Sequence, residues 1–369
     1  MNRIHLIAAL ALLSCGSTPS SGTDASSTDT STSSAPTTTA PTSTTTATTS
    51  VDTGADSSGE STGVDEDTTG DPPLPADAVA VAVGYGSRRV RSADGLTWTD
   101  FVEVDPNGGD DDTLLRGIGY GEGMFVAVGG AAAALTMRSP DGIAWESVSN
   151  DLGNFVSDVA WQDGIFVAAG GNGLRARSLD GGGSWQDATP YYSGHFRAIA
   201  AGNGVFVAVG HTYGDTNVGL TSTSEDGSSW TTEQTLGAPL GGQAIAFGGG
   251  VFVARDGGGA LWSSADGEAW GEPVGQRAGE GPVIRANDAF LTSGADGFWT
   301  SPDGQTWEQV GAGDGRPVHG WQDGHYLSLG WPASIAVSDD LQRWSNTFSV
   351  DGPGLTDVAV GSPGPGPGP

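Results

Sequence analysis

Ser-Pro-Asp-Gly-Ile-Ala-Trp at residues 139–145 is one of seven copies of the pattern Ser-x-Asp-Gly-x-x-Trp in this chain. The copies begin 37 to 47 residues apart along the sequence. A repeat of this period is typical of a β-propeller, in which one four-stranded blade recurs around a central axis. The aspartates of the seven copies are Asp94, Asp141, Asp180, Asp226, Asp266, Asp303 and Asp340.

These aspartates are predicted to be structural, because they recur in every repeat, whereas a binding site needs asymmetry. A short Asp side chain can accept N–H bonds within its own turn, and Gly supplies positive φ. The Trp is expected to fill the space between neighbouring sheets. Two copies depart from the pattern: residues 178–185 contain one extra residue, and Leu341 replaces Gly in the last copy. We expect those two turns to be looser or reshaped.

Runs of β-branched and aromatic residues precede the copies, as at 124–129, 165–170 and 205–210. Each run is preceded by a shorter apolar segment and a Gly-rich or Asn-Gly turn, which is typical of a β-hairpin. Each blade is therefore predicted to contain, in chain order, strand A, a tight turn, strand B, a loop, strand C, the repeated motif and strand D.

The two ends of the repeat region complement each other. The first motif is preceded by a strand B at residues 80–84 but by no strand A, whereas residues 355–361 match strand A with no strand B after them. We therefore predict an all-β, seven-bladed propeller of four-stranded blades over residues 77–361, closed by the C-terminal strand, which leaves no open sheet edge. Residues 362–369, rich in Pro and Gly, are expected to be a disordered tail.

The N-terminus predicts export and lipid anchoring. Arg3 precedes an apolar run of eight residues at 6–13, too short to span a membrane, and Leu-Leu-Ser-Cys at 12–15 resembles a bacterial lipobox. Residues 1–15 are thus interpreted as a lipoprotein signal peptide with Cys15 lipidated, and residues 16–76, rich in Ser and Thr, as a disordered linker. Gly16 favours the outer membrane of a Gram-negative bacterium. An ordinary secretory signal with an incidental cysteine is the alternative.

The charge of the chain excludes several classes of function. All 14 basic residues are Arg, against 44 acidic residues, so the formal net charge is −30. Such a chain repels nucleic acid, and the absence of Lys rules out a phosphate-binding P-loop and a Schiff-base lysine. No spacing indicates a metal site or a cofactor. Asp residues within 105–112 could hold Ca²⁺, but the spacing does not fit an EF-hand, and a solvated acidic loop is the simpler interpretation.

The seven motifs resemble those of the Asp-box, or BNR-repeat, propellers, a group that includes sialidases, sortilin-type receptors and photosystem II assembly factors. The resemblance covers residues 78–361 and implies the fold. It does not imply an activity, because in the enzymes of this group the motif lies far from the active site.

A ligand site is expected on the top face, formed by the D–A and B–C loops, where propellers usually bind. Aromatic rings and polar edges gathered on one rim would suit a protein or carbohydrate ligand. We expect a monomer that meets the membrane only through its lipid. The candidate ligand-binding residues are Arg116, Tyr191, Tyr192, His195, Arg197, Tyr213 and Trp331.

The main hypothesis is therefore a lipid-anchored, non-catalytic binding propeller, and the alternative is a sialidase-like glycoside hydrolase. By resemblance, a sialidase would need three Arg side chains around the substrate carboxylate and a Tyr nucleophile beside a Glu. Arg116 and Arg197 could supply two of the three, but Arg285 and Arg316 do not match the equivalent strand position. No Glu is placed beside Tyr191 or Tyr192. No catalytic residue is assigned.

Overall fold

The computed structural model describes residues 74–189, 194–213, 218–235, 242–276, 281–312 and 316–364. These residues form seven four-stranded antiparallel sheets. The innermost strands of neighbouring sheets contact one another all around a ring, so they line a central channel. The predicted seven-bladed β-propeller is confirmed. We number the blades in chain order and letter their strands A to D from the channel outward.

The first four blades contain most of the long inner strands. Blade 1 consists of Leu355–Gly361, Val79–Gly84, Arg89–Ser92 and Trp98–Val102. Blade 2 consists of Leu115–Gly121, Met124–Gly130, Ala134–Ser139 and Glu146–Ser147. Blade 3 consists of Val156–Gln162, Ile165–Gly170, Arg175–Ser178 and Gln186–Asp187. Blade 4 consists of Gly194–Gly202, Val205–Thr212, Gly219–Ser224 and Gln234–Thr235.

The last three blades complete the ring. Blade 5 consists of Gly242–Gly248, Val251–Asp256, Ala260–Ser264 and Gly275–Gln276. Blade 6 consists of Val283–Ala286, Ala289–Gly294, Gly297–Ser301 and Glu308–Gly311. Blade 7 consists of Gly320–Gln322, His325–Gly330, Ser334–Ser338 and Ser345–Ser349. Short 3₁₀ turns at Tyr85–Ser87 and Gly171–Gly173 form the B–C loops of blades 1 and 3.

The C-terminal strand closes the ring as the sequence predicts. It pairs antiparallel with strand B of blade 1, in a register that places Val358 opposite Ala82 and Val360 opposite Ala80. Beyond this strand, the carbonyl of Ser362 accepts a bond from the Tyr120 hydroxyl, and the N–H of Gly364 donates to the carbonyl of Gly123 at 3.1 Å. The last segment that the structure describes is thus bound to the first two blades.

Seven apolar clusters hold the blades together, one at each boundary. In the cluster between blades 1 and 2, for example, Val81 and Leu115 pack with the ring of Trp145. Each cluster contains one Trp of the repeated motif, half-buried against the preceding blade, so the number of motifs matches the number of boundaries. The seven are Trp98, Trp145, Trp185, Trp230, Trp270, Trp307 and Trp344.

The motif turns are built by their own side chains. Asp141 Oδ1 accepts the N–H groups of Ile143 and Ala144, both at 2.8 Å, and Trp145 donates its indole N–H to Gly142 at 2.9 Å. The two deviant turns keep the Asp contacts but not the indole bond, since the indole N–H groups of Trp185 and Trp344 have no partner among the described residues. The carboxylate of Asp340 still accepts two turn N–H groups although Leu341 adopts φ +59°, and Asp180 reaches the N–H of Ser184, four residues on.

Strand A carries the same β-bulge in five of the seven blades. One residue is skipped in the pairing with strand B near the top of the strand, which re-aims its side chain. Blades 6 and 7 show no such bulge, and their A strands are only four and three residues long. The channel is therefore asymmetric. The bulged residues are Arg116, Ser157, Arg197, Gln243 and Thr356.

Candidate functional site

The bulges explain why Arg116 and Arg197 face the top of the channel. Both are bulged residues of strand A, on blades 2 and 4. Arg116 donates its Nε–H to the carbonyl of Gly130 at 2.9 Å and forms an ion pair with Asp110. Its guanidinium carbon lies 4.8 Å from the ring centroid of Phe155, which belongs to the D–A loop entering blade 3. This geometry is that of a cation–π contact.

Aromatic rings continue from Phe155 toward blade 4. The ring of His195 stacks on Phe155, with centroids 5.6 Å apart and planes inclined by 25°. Tyr213 also meets His195 edge-on, with ring centroids 4.7 Å apart, and its hydroxyl bonds the side chain of Asn172 in the B–C loop of blade 3. Since 49% of Tyr213 is exposed, this row presents aromatic surface to solvent.

Arg197 lies beside this row and is exposed. Its Nε–H donates to Nδ1 of His211 at 3.3 Å, so the proton of neutral His211 lies on Nε2. Burial, together with the charge of Arg197, lowers the pKa of His195 and of His211, so both rings are neutral at pH 7. Among the described residues, Arg197 has no carboxylate partner.

The structure thus brings four of the predicted site residues together on one rim over blades 2 to 4. We call this group the rim cluster. It consists of Arg116, Phe155, His195, Arg197, His211 and Tyr213.

Trp331 belongs to a different part of the top face. It lies in the B–C loop of blade 7, is 68% exposed, and meets Tyr85 of blade 1 edge-on at 5.3 Å. A cavity of about 380 Å³ beside it is also lined by Arg316 and Asn346. Tyr191 and Tyr192 lie outside the described residues. Of the predicted residues that the structure describes, four belong to the rim cluster, and Trp331 lies apart from it beside Tyr85.

Sequence reasoning missed Phe155 and His211, although signals for both were present. Phe155 immediately precedes strand A of blade 3, and His195 occupies the same repeat position in blade 4. Aligning the repeats would therefore have marked Phe155 as a top-face residue. His211 follows the strand B motif at 205–210 by one residue, and it pairs across the sheet with His195.

The acidic loop before blade 2 uses its carboxylates internally. Asp111 accepts the N–H groups of Gly109 and Thr113, both at 2.8 Å, and Asp112 accepts that of Ala132 at 2.9 Å. Hydrogen bonds, first that from the Thr113 side chain, lower the pKa of Asp111. In the part of the chain that the structure describes, no three His, Cys, Asp or Glu side chains are grouped as metal ligands would be.

The two other arginines considered for a sialidase-type cluster are not part of the rim cluster. Arg285 extends beside Gly248 and Gly249 in the A–B turn of blade 5, at the opposite end of the channel. Arg316 lies over the ring of Trp344, 5.3 Å from its centroid, at the boundary between blades 6 and 7. Neither of them therefore joins Arg116 and Arg197 as a third Arg.

No protein-family model and no curated protein matches this sequence. Among solved structures, the chain is similar to a candidate 6-phosphogluconolactonase from Bacteroides uniformis, with a TM-score of 0.55 and 11% identity over 78% of this chain and 100% of that one. YCF48 bound to D1 peptide gives a TM-score of 0.48 and 18% identity over 72% of this chain and 90% of that one. At such low identity, the similarity shows the β-propeller fold alone.

No helix among the described residues is long and apolar enough to cross a membrane.

Proposed function

We propose that this protein is an exported, lipid-anchored β-propeller that binds a protein or a glycan at the rim cluster and catalyses no reaction. The observation that carries the proposal is the rim cluster itself, which joins side chains from three blades into one aromatic and cationic surface, with Arg197 and Tyr213 exposed. Such rings provide flat apolar faces, and the guanidinium groups provide donors, a combination enriched at recognition surfaces.

The charge of Arg197 supports this interpretation. The chain carries a formal net charge of −30, yet this exposed guanidinium has no carboxylate partner among the described residues. The two neighbouring imidazoles are neutral at pH 7 and leave its charge in place. A ligand with carboxylate or carbonyl oxygens would therefore find a donor here that the protein does not itself occupy.

Crosslinking in cells tests the rim cluster. A photoreactive phenylalanine analogue at position 213 of the full chain is expected to capture a partner, whereas the same analogue at position 179 should not. Leu179 is a matched control, because it is 55% exposed against 49% for Tyr213 but lies in a motif turn on the opposite face. Arg197→Ala should reduce capture by about tenfold, the loss of roughly 1.4 kcal/mol.

A glycan array probed with the purified full chain tests whether the ligand is a carbohydrate. Equal capture from positions 213 and 179 would contradict the proposal, as would capture from neither together with an array that shows no binding.

Lipid anchoring is tested separately. If Cys15 carries the lipid, Cys15→Ser should release the protein from the membrane fraction or stall its processing. Membrane fractionation followed by immunoblotting measures this, with Ser14→Ala as a control that leaves the cysteine in place. A Cys15→Ser protein that fractionates like the wild type would refute the anchor without affecting the rim cluster.

A further inference from the structure

A cavity of about 720 Å³ opens at the bottom of the channel, the end that carries the A–B turns. It lies between the A strands of blades 6, 7 and 1, and its wall includes Ile284, His319, Trp321, Val358 and Val360. Its volume is within the range of small-molecule sites, roughly 300–1,000 Å³. It is separate from the rim cluster, which lies on blades 2 to 4 at the other end.

His319 is a departure from the repeat in the wall of this cavity. The residue at this position of strand A is β-branched and apolar in the other six blades, but an imidazole in blade 7. The six apolar equivalents are Ile118, Val159, Ile199, Ile245, Val283 and Val358.

The hydrogen bonds of His319 fix its tautomer. Nδ1 accepts the backbone N–H of Leu329 at 3.1 Å, so the proton of the neutral ring lies on Nε2. Burial lowers the pKa of His319 to about 4, and the ring is therefore neutral at physiological pH. Among the described residues, Nε2–H has no hydrogen-bond acceptor. The Nε2 atom is not fully enclosed by protein. A donor is left for a ligand in the cavity.

The lining points to one class of ligand. Trp321 and the aliphatic side chains offer apolar faces, His319 offers a neutral donor, and Asn287 offers a polar group. Charges of both signs also line the cavity, Arg285 against Asp288 and Asp323, so neither an anion nor a cation would meet a wall of one opposite charge. A hydroxyl group suits such a wall, because it accepts from an N–H and donates to a carboxylate.

We propose that this cavity binds a neutral saccharide, with the apolar face of a sugar ring against Trp321 and a hydroxyl oxygen accepting from Nε2–H of His319. The site is independent of the rim cluster and does not depend on the proposed function.

Binding is measured on the full chain by saturation-transfer NMR and titration calorimetry, with glucose, galactose, mannose, N-acetylglucosamine, maltose, cellobiose and trehalose as probes. At least one sugar is expected to bind. Trp321→Ala should weaken its affinity by about tenfold or more. Val360→Trp should abolish it, because the new ring fills the cavity at a repeat position that already holds Trp in blades 3 and 7.

Trp161→Ala is the matched control, since Trp161 occupies the repeat position of Trp321 but lies in blade 3, away from the cavity. Trp161→Ala removes the same type of side chain as Trp321→Ala, but it should leave sugar binding unchanged. The proposal is overturned if no sugar gives a signal up to about 10 mM. It is also overturned if Val360→Trp binds like the wild type, or if Trp161→Ala and Trp321→Ala weaken binding equally.

Discussion

Asp357, on the last strand of the chain, accepts a hydrogen bond from the backbone N–H of Ile118 at 2.9 Å, across the boundary between blades 1 and 2. Asp158, at the same repeat position in blade 3, makes the equivalent bond to the N–H of Ile199 in blade 4 at 3.0 Å. Each carboxylate therefore joins its own A strand to the next one. Both lie half-buried inside the channel, and they are close enough for the charge of Asp158 to affect Asp357.

These two carboxylates predict that the protein loses stability as the pH rises. Burial, then the charge of Asp158, raises the pKa of Asp357 to about 8, and burial raises the pKa of Asp158 to about 6. An Asp in the unfolded chain titrates near 3.9, so the folded state binds more protons between about pH 4 and 8. The stability from the protonated pair is complete below about pH 4 and is lost as the pH rises through the folded pKa values.

Urea unfolding at several pH values measures this effect. Asp357→Asn cannot ionise, so its free energy of unfolding should fall less steeply with pH than that of the wild type, even though the amide replaces one acceptor and lowers the overall stability. Identical pH slopes for the two proteins would contradict the prediction.

Deleting residues 355–369 should prevent cooperative folding, because it removes the inner strand of blade 1 together with the bond from Ile118 to Asp357. It also exposes the edge of strand B in blade 1, which favours aggregation. Deleting only residues 365–369 keeps strand A and the contacts of Ser362 and Gly364, and should leave the melting temperature unchanged. Calorimetry and gel filtration distinguish the two. A cooperative, monomeric 355–369 deletion would refute closure by this strand.

In the motif turns, the Trp side chain should contribute more to the free energy of unfolding than the Asp side chain does. Trp145→Ala should cost about 3 kcal/mol of unfolding free energy, because it empties the cluster between blades 1 and 2. Asp141→Ala should cost about 1 kcal/mol, since water can replace the carboxylate at the surface N–H groups of Ile143 and Ala144. Ile143→Ala, at a site 47% exposed, is the control and should change stability by less than about 0.5 kcal/mol. A larger loss of stability for Asp141→Ala than for Trp145→Ala would contradict this prediction.

At Leu341, the energetic cost of a strained backbone opposes the gain from burying the side chain. Its φ of +59° costs roughly 1–2 kcal/mol for a residue with a Cβ, but its side chain is only 4% exposed within the cluster of blades 6 and 7. Emptying such a site costs about 2–5 kcal/mol, so Leu341→Gly should destabilise by a net of about 1–3 kcal/mol. Leu341→Ala loses the packing and keeps the strain, so chemical denaturation should show it to be the less stable variant. The opposite order would mean that strain is negligible here.

We expect the purified protein not to hydrolyse sialosides or common aryl glycosides. Arg285 and Arg316, the two arginines considered as a third member of a sialidase-type cluster, lie away from Arg116 and Arg197. Release of a fluorescent aglycone measures this, with a no-enzyme blank as the control. Hydrolysis above the blank that Arg197→Ala abolishes would favour the sialidase-like alternative over a binding propeller.

The sequence alone determined the ring. Seven Trp-containing motifs predict seven blades, and the unmatched A strand at residues 355–361 predicts how the ring closes, because each blade needs the same four strands. These features are local or periodic, so a single sequence records them directly. For the same reason, the repeats by themselves place Arg116 and Arg197 at one equivalent position of strand A.

Only the tertiary structure decided which side chains meet. Phe155 joins Arg116 to His195 because a D–A loop and two neighbouring strands converge on the rim, and no spacing in the sequence encodes that contact. Asp158 and Asp357, 199 positions apart in the sequence, affect each other only because the ring brings their strands together. Likewise, the wall of the cavity beside His319 comes from three blades at the two ends of the repeat region, and only the closed ring brings them together.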